Sequence, residues 1–223
     1  MEKERKIKAV VFDVDGTLYP NSCMIARSVR FFFSHPLISL AFNQLRKDVR
    51  QFGGVEDLHL AQVSLAAGYL RIPAEKAEYL IEEYIYGQYM SMFRDVKPFP
   101  CIEPMLEEFR NAGLKLGVIS DFPIRNKLSY LGLDRFWDAA LSADEAGSLK
   151  PDSEPFLMMG EELGISPENI IYVGNNYKYD IIGSKGAGML AAHFSKKEVP
   201  GSIADITFSD YNDLRRYVLG FGR

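Results

Sequence analysis

Two carboxylates, Asp13 and Asp15, stand one residue apart in Val11-Phe12-Asp13-Val14-Asp15-Gly16-Thr17. An apolar, β-branched run precedes them and a glycine follows. Apolar runs of this kind form strands buried on both faces of a parallel sheet. Acids at the end of such a strand break the local pattern, and breaks of this kind mark functional positions. Two further apolar runs end the same way. Leu116-Gly117-Val118-Ile119 ends in Ser120-Asp121, and Ile170-Ile171-Tyr172-Val173 ends in Gly174-Asn175, with Asp180 just beyond. In an open parallel sheet, ligands bind outside the carboxyl ends of the strands, so these clusters can meet in space. Lys150, in Ser148-Leu149-Lys150-Pro151-Asp152, precedes a predicted helix on the same edge. Carboxylates without a histidine or cysteine partner suit a hard cation, Mg2+, held by oxygen ligands. Acids, a lysine, a hydroxyl and free backbone N–H groups also suit phosphoryl transfer. A carboxylate can attack phosphorus, and a cation and a lysine offset the repulsion between two anions.

The elements that must bring these residues together alternate between strand and helix. Strands are predicted at residues 7–13, 116–119, 139–141, 170–173, 189–194 and 205–208. Helices are predicted at 104–111, 124–131, 154–163, 179–186 and 211–219. This alternation predicts an α/β fold, a parallel sheet with helices on both faces. Between the first strand and the second, the pattern is helical throughout. Met24 to Phe33 and Leu37 to Phe52 are read as two helices meeting at Pro36, the second stopped by Gly53-Gly54. Val55 to Leu70 follows, then a helix opened by Pro73. Five tyrosines, Tyr69, Tyr79, Tyr84, Tyr86 and Tyr89, lie in this block. They are expected to pack between helices, with a substrate-facing subset as the alternative. Lys97-Pro98-Phe99-Pro100 is a stiff connection and a predicted boundary.

Composition narrows the possibilities. The 223 residues are 47% hydrophobic and 25% charged, as in ordinary globular proteins, with a formal net charge of -4. That balance gives no basic footprint for nucleic acid. Cys23 and Cys101 make no disulfide framework and are expected to be plain thiols of a cytoplasmic protein. The charged start, Met1 to Lys6, predicts no leader peptide. The apolar stretch from Met24 to Leu45 is interrupted by Arg27, Arg30 and His35-Pro36, so no stable membrane insertion is expected. Phe31-Phe32-Phe33 is the first place to look for an interface, and a monomer or a homodimer is expected. His35, His59 and His193 lie in no catalytic or metal-ligand spacing and are expected to be structural or exposed. Gly183 to Gly188 follows a helix pattern instead of opening one after a strand, so it is no dinucleotide fingerprint. Arg215-Arg216 reads as a solvated helix face.

Together the motifs resemble the haloacid dehalogenase-like superfamily, in its phosphatase branch. Asp13-Val14-Asp15-Gly16-Thr17 matches its first motif and Gly117 to Ser120 its second. Lys150-Pro151 matches the third, and the run from Val173-Gly174-Asn175 through Asp180 to Gly188 the fourth. The helical block is similar to the cap of the phosphoglycolate phosphatase and β-phosphoglucomutase group. The resemblance implies a Rossmann-like doubly wound parallel sheet core, residues 1–18 and 97–223, with an inserted α-helical cap domain, residues 19–96. It implies Mg2+-dependent hydrolysis of a small phosphorylated metabolite through an aspartyl-phosphate. Asp13 would be nucleophile and metal ligand, and Asp15 general acid and base, with its carbonyl on the metal. Ser120 would hold the phosphoryl group, Lys150 would pair with Asp13, and Asp180 would bind the metal. Asp15 speaks for an alkoxide leaving group, since a halide needs no proton.

Two residues depart from the family pattern. Asn175 replaces the usual Asp and predicts weaker metal binding, while an amide oxygen can still ligate. Asp121 replaces a common Asn and is assigned to the substrate side, with bracing of a loop as the alternative. Tyr19, Asn21, Arg27 and Arg50 are expected contacts from the cap. Two alternatives stay open: a phosphomutase of the same fold, and a catalytically weakened binding or regulatory protein.

Overall fold

The computed structural model describes residues 6–52, 57–124 and 126–220. Gly53-Gly54, expected to stop a helix, lies outside the described residues. Six parallel strands form one sheet: β1 (Ala9–Asp13), β2 (Lys115–Ser120), β3 (Ala139–Ser142), β4 (Ile170–Gly174), β5 (Leu190–Phe194) and β6 (Ile206–Phe208). Their spatial order is β3-β2-β1-β4-β5-β6. This is the doubly wound order, with its direction reversing at β1, where the crevice for a ligand opens. β1 is central and buried along its whole length. Alternate residues serve opposite faces. Val10 and Phe12 pack with Leu106, Leu116, Val118 and Val173, whereas Ala9 and Val11 pack with Ile119, Phe156, Met159 and Tyr172.

Four stretches of helix follow β1: α1 (Asn21–Ser34), α2 (Pro36–Phe52), α3 (Leu58–Leu70) and a rod made of α4 (Ala74–Tyr79), wide π-helical turns (Leu80–Gly87) and α5 (Gln88–Phe93). Pro36 opens α2 as expected, where its missing N–H has no helical partner to lose. Of the stretch expected from Val55 to Leu70, residues 55 and 56 lie outside the described residues, and the helix begins at Leu58, where the Asp57 side chain accepts from the Leu60 N–H at 2.8 Å and caps it. Phe42, Leu45, Val49, Leu58, Val63, Ala77, Ile81 and Tyr86 form a core of their own, joined from the sheet side by Leu149 and Phe122. The block also reaches into the sheet's core, since Met24 and Phe93 pack with Leu18 and Val96 there.

The rest of the chain supplies the layers over the sheet: α6 (Ile102–Asn111), α7 (Lys127–Tyr130), α8 (Ala143–Ala146), α9 (Glu154–Leu163), α10 (Ile182–Gly186) and α11 (Tyr211–Gly220). α7 is shorter than the predicted 124–131. The predicted helix at 179–186 is split into π turns over Tyr177–Ile181 and then α10. Among the described residues no helix is long and apolar enough to cross a membrane.

Candidate active site

β1, β2 and β4 each deliver a polar cluster to the same end of the sheet, and the clusters meet there as the sequence pattern predicts. Asp13 ends β1. Its Oδ2 accepts from the Thr17 hydroxyl at 3.0 Å, and its Oδ1 from Lys150 Nζ at 2.7 Å. Lys150 Nζ also donates to Asp180 Oδ1 at 2.7 Å and to the Tyr172 hydroxyl at 2.9 Å. The other Asp180 oxygen accepts from the Asn176 N–H at 2.8 Å. The π turns after β4 bring Asp180 back over the strand end. Gly174 permits that approach, because a Cβ there would lie 2.3 Å from the Cβ of Asp180. Gly16, with φ +91°, turns the chain after the acid pair in a backbone region that other residues rarely adopt.

Burial and charge compete at these groups. Burial raises the Asp13 carboxyl to about 7, with Lys150 pulling the other way and Asp180 and Asp15 adding to the rise. For Lys150, burial works against the ammonium, but Asp13 and Asp180 outweigh it and hold its pKa well above the ordinary lysine value.

Asp15 has a second lysine, which sequence reasoning missed. Lys127 is wholly buried, and its Nζ donates to Asp15 Oδ2 at 3.0 Å and to Ser120 Oγ at 3.0 Å. Tyr19 donates to Asp15 Oδ1 at 2.7 Å, and the Tyr89 hydroxyl donates to the same oxygen. Burial alone would raise the Asp15 carboxyl. Lys127, Tyr89 and Tyr19 outweigh it and hold the pKa below the ordinary value. Burial lowers the Lys127 ammonium despite Asp15 beside it. The one sequence signal for Lys127 is its place seven residues after Ser120, inside the helix predicted at 124–131.

Ser120 is buried. Its oxygen accepts from Lys127 and, at 3.2 Å, from the Phe122 N–H, so its own proton is available to a ligand. Asp121 faces the helices. Its Oδ2 accepts from Arg50 at 2.8 Å and lies 3.5 Å from Arg46, and its Oδ1 accepts from the Lys150 N–H at 3.1 Å. Arg46 also donates to the Asp121 carbonyl at 3.0 Å, and Arg50 to the Lys150 carbonyl at 3.0 Å. Burial would raise the Asp121 carboxyl, but Lys150, Arg46 and Arg50 hold it below the ordinary value. This is a bracing arrangement, and it takes up Arg50. Arg27 is likewise engaged, donating to the Met92 carbonyl.

The Asn175 amide nitrogen lies 3.4 Å from the Asp15 carbonyl. Asp13, Asp180 and that carbonyl offer oxygen donors of the kind a hard cation such as Mg2+ takes, and the Asn175 amide, which here turns its nitrogen to the carbonyl, would join them by turning its oxygen inward. Among the described residues no three His, Cys, Asp or Glu side chains gather as a metal site.

A cavity of about 570 Å³ opens between α1, α2, the π-helical turns and the sheet edge, with Asp15, Tyr19 and Asn21 among its walls. Of the clustered tyrosines, Tyr84 and Tyr89 line it, while Tyr86 is buried against Gln62, and Tyr69 and Tyr79 are exposed.

Comparison with known proteins agrees with this geometry. A family model described as haloacid dehalogenase-like hydrolase matches residues 10–193. The chain is 29% identical over 203 residues to glyceraldehyde 3-phosphate phosphatase of Methanopyrus kandleri, covering 85% of this chain and 84% of that protein. It is 30% identical over 194 residues to pyrophosphatase PpaX of Bacillus cereus, covering 85% and 84%. In fold it is similar to a HAD phosphatase from Thermococcus onnurineus, with a TM-score of 0.66 at 22% identity, covering 97% of this chain and 100% of that one. The family match runs from β1 to β5 and takes in the acid pair, both lysines and Asp180: the chain belongs to the haloacid dehalogenase-like hydrolases.

Proposed function

We propose that this hydrolase is a Mg2+-dependent phosphatase that cleaves a phosphomonoester through an aspartyl-phosphate on Asp13. One observation carries the reading: each acid of the Asp13/Asp15 pair has its own buried lysine, Lys150 for Asp13 and Lys127 for Asp15. Two carboxylates held in different environments can take different roles. The curated relatives, named as phosphatases, support the reaction class.

In the first step an Asp13 oxygen attacks phosphorus, and the bond from phosphorus to the alcohol oxygen breaks. Asp15 gives its proton to that oxygen. Lys127 keeps Asp15 ionised in the free site, and the arriving anionic phosphoryl group raises its proton affinity. In the second step Asp15 takes a proton from water, which attacks the aspartyl-phosphate and releases inorganic phosphate from Asp13. Lys150 holds Asp13 and balances the phosphoryl oxygens, and Ser120 donates its hydroxyl proton to one of them. Asp13, the Asp15 carbonyl, Asn175 and Asp180 would hold Mg2+, which supplies positive charge against the phosphoryl oxygens. Residues 19–96 act as a cap over the core formed by residues 1–18 and 97–223, and exclude bulk water while the ester is cleaved.

The test is phosphate release from p-nitrophenyl phosphate with Mg2+ present. Release that falls to background in Asp13→Asn supports the reading. No release, or release unchanged by Asp13→Asn, overturns it. Isomerisation of a sugar phosphate without phosphate release would instead favour a phosphomutase.

A further inference from the structure

We propose that the substrate is the phosphate ester of a mostly apolar, uncharged alcohol that fills the cavity beside Asp15. This rests on the phosphatase reading and goes beyond it to the substrate class. Asp15, the proposed proton donor to the departing alcohol, lines both the site and the cavity, so the cavity is where that alcohol must lie. At about 570 Å³ it is the size of pockets that hold drug-sized ligands, far larger than a three-carbon leaving group requires.

Its chemistry is one-sided. The walls are chiefly aromatic and aliphatic, with Phe31, Phe42, Tyr84 and Phe122 among them. Among the described residues lining it there is no Lys, Arg or His, and Asp15 is the one group charged at neutral pH. The nearby cations are already directed elsewhere: Lys127 to Asp15 and Ser120, Arg46 to Asp121, and Arg27 to the Met92 carbonyl. A carboxylate or a second phosphate on the leaving group would therefore be buried without a cationic partner and beside Asp15, which is costly. The mouth is apolar as well: Ile25, Val29 and Phe32 line the cavity and are 59%, 50% and 38% exposed.

One polar group on the wall stands apart from the ligand space. Ser39 also lines the cavity and is 9% exposed, and its buried hydroxyl has no hydrogen-bond partner among the described residues. Buried hydroxyls are rarely left so.

The experiment measures kcat/KM for butyl, hexyl and octyl phosphate, phosphoglycolate and pyrophosphate, in the full chain with Mg2+. Burial of each added methylene should raise kcat/KM about threefold to fourfold. Octyl phosphate should exceed both anionic substrates at least a hundredfold. Val29→Arg, at the exposed rim, should lower the octyl rate and raise the phosphoglycolate rate. A flat alkyl series, a preference for either anionic substrate, or a ratio that Val29→Arg leaves unchanged overturns the proposal. Hydrolysis of p-nitrophenyl phosphate that depends on Asp13, measured alongside, separates the two failures. If it is absent, the phosphatase reading has failed; if it is present with the wrong preference, only the substrate class has.

Discussion

Lys127→Met isolates the contribution of the second lysine. The variant keeps most of the side chain's volume and removes its charge. At 3.0 Å from Asp15, the Lys127 ammonium is attracted by about 5 kcal/mol at an effective dielectric of ~20. Burial of the lysine cancels much of that. A hydrogen bond to a charged group is worth about 1.5–3 kcal/mol net, which in rate is roughly 10- to 150-fold. The loss should depend on the leaving group. An alkoxide needs a proton from Asp15, whereas nitrophenolate departs without one. The assay is therefore the ratio of kcat/KM for hexyl phosphate to that for p-nitrophenyl phosphate. Lys127 also supports Ser120, so both rates fall. Its loss lets Asp15 hold a proton more readily, but it removes the bond that orients the carboxyl, and through that lost orientation the ratio should fall by a further ~10- to 150-fold. In an Asp15→Asn background the same substitution should leave the ratio unmoved, because its target is gone. Equal losses on the two substrates would refute the reasoning and leave Lys127 acting on Ser120 alone.

The metal site gives a second expectation: Asn175→Asp, which restores a negative charge to the donor set, should tighten Mg2+ about tenfold, read by calorimetry and by activity against Mg2+ concentration. Wild-type protein that already saturates tightly, with no change in the variant, would contradict the account of Asn175. Gly174→Ala puts a methyl group 2.3 Å from the Asp180 Cβ, so Asp180 must move. The folded variant should lose Mg2+ binding and activity together, and retention of both would contradict the packing. Arg50→Met removes the bonds to Asp121 and to the Lys150 carbonyl. It should lower stability by about 1.5–3 kcal/mol in urea unfolding, and a change under ~0.5 kcal/mol would mean the pair is solvated in solution.

Much of the frame is legible in the sequence alone. The strand–helix alternation and the abrupt polar ends of three apolar runs predicted the sheet and the edge where Asp13, Asp15, Ser120 and Asp180 gather. Those signals are local: side-chain periodicity and a break in it. What stayed hidden depends on tertiary approach. Tyr172 sits mid-strand in an apolar run and read as core, yet its hydroxyl faces Lys150. Lys127 belongs to no motif, and nothing nearby in sequence says that it is buried beside Asp15. Arg50 was expected to reach the substrate, and its partner proved to be Asp121, 71 residues away. Helix edges are hidden where a side chain, not a hydrophobic period, sets the end, as at Asp57. The π turns of Leu80–Gly87 carry no periodicity distinct from that of an α-helix over so few residues.

α2 carries one last consequence. Ser39, Phe42, Asn43, Arg46 and Arg50 recur every three or four residues and so lie along one stripe of that helix. The first half of the stripe walls the cavity, and the second half grips Asp121 and the Lys150 loop. Selectivity and anchorage are thus written on separate turns of a single rod. On the proposed substrate reading, drift in the early turns refits the pocket while the later turns keep the rod seated. An enzyme lineage built this way can change its diet without rebuilding its jaw.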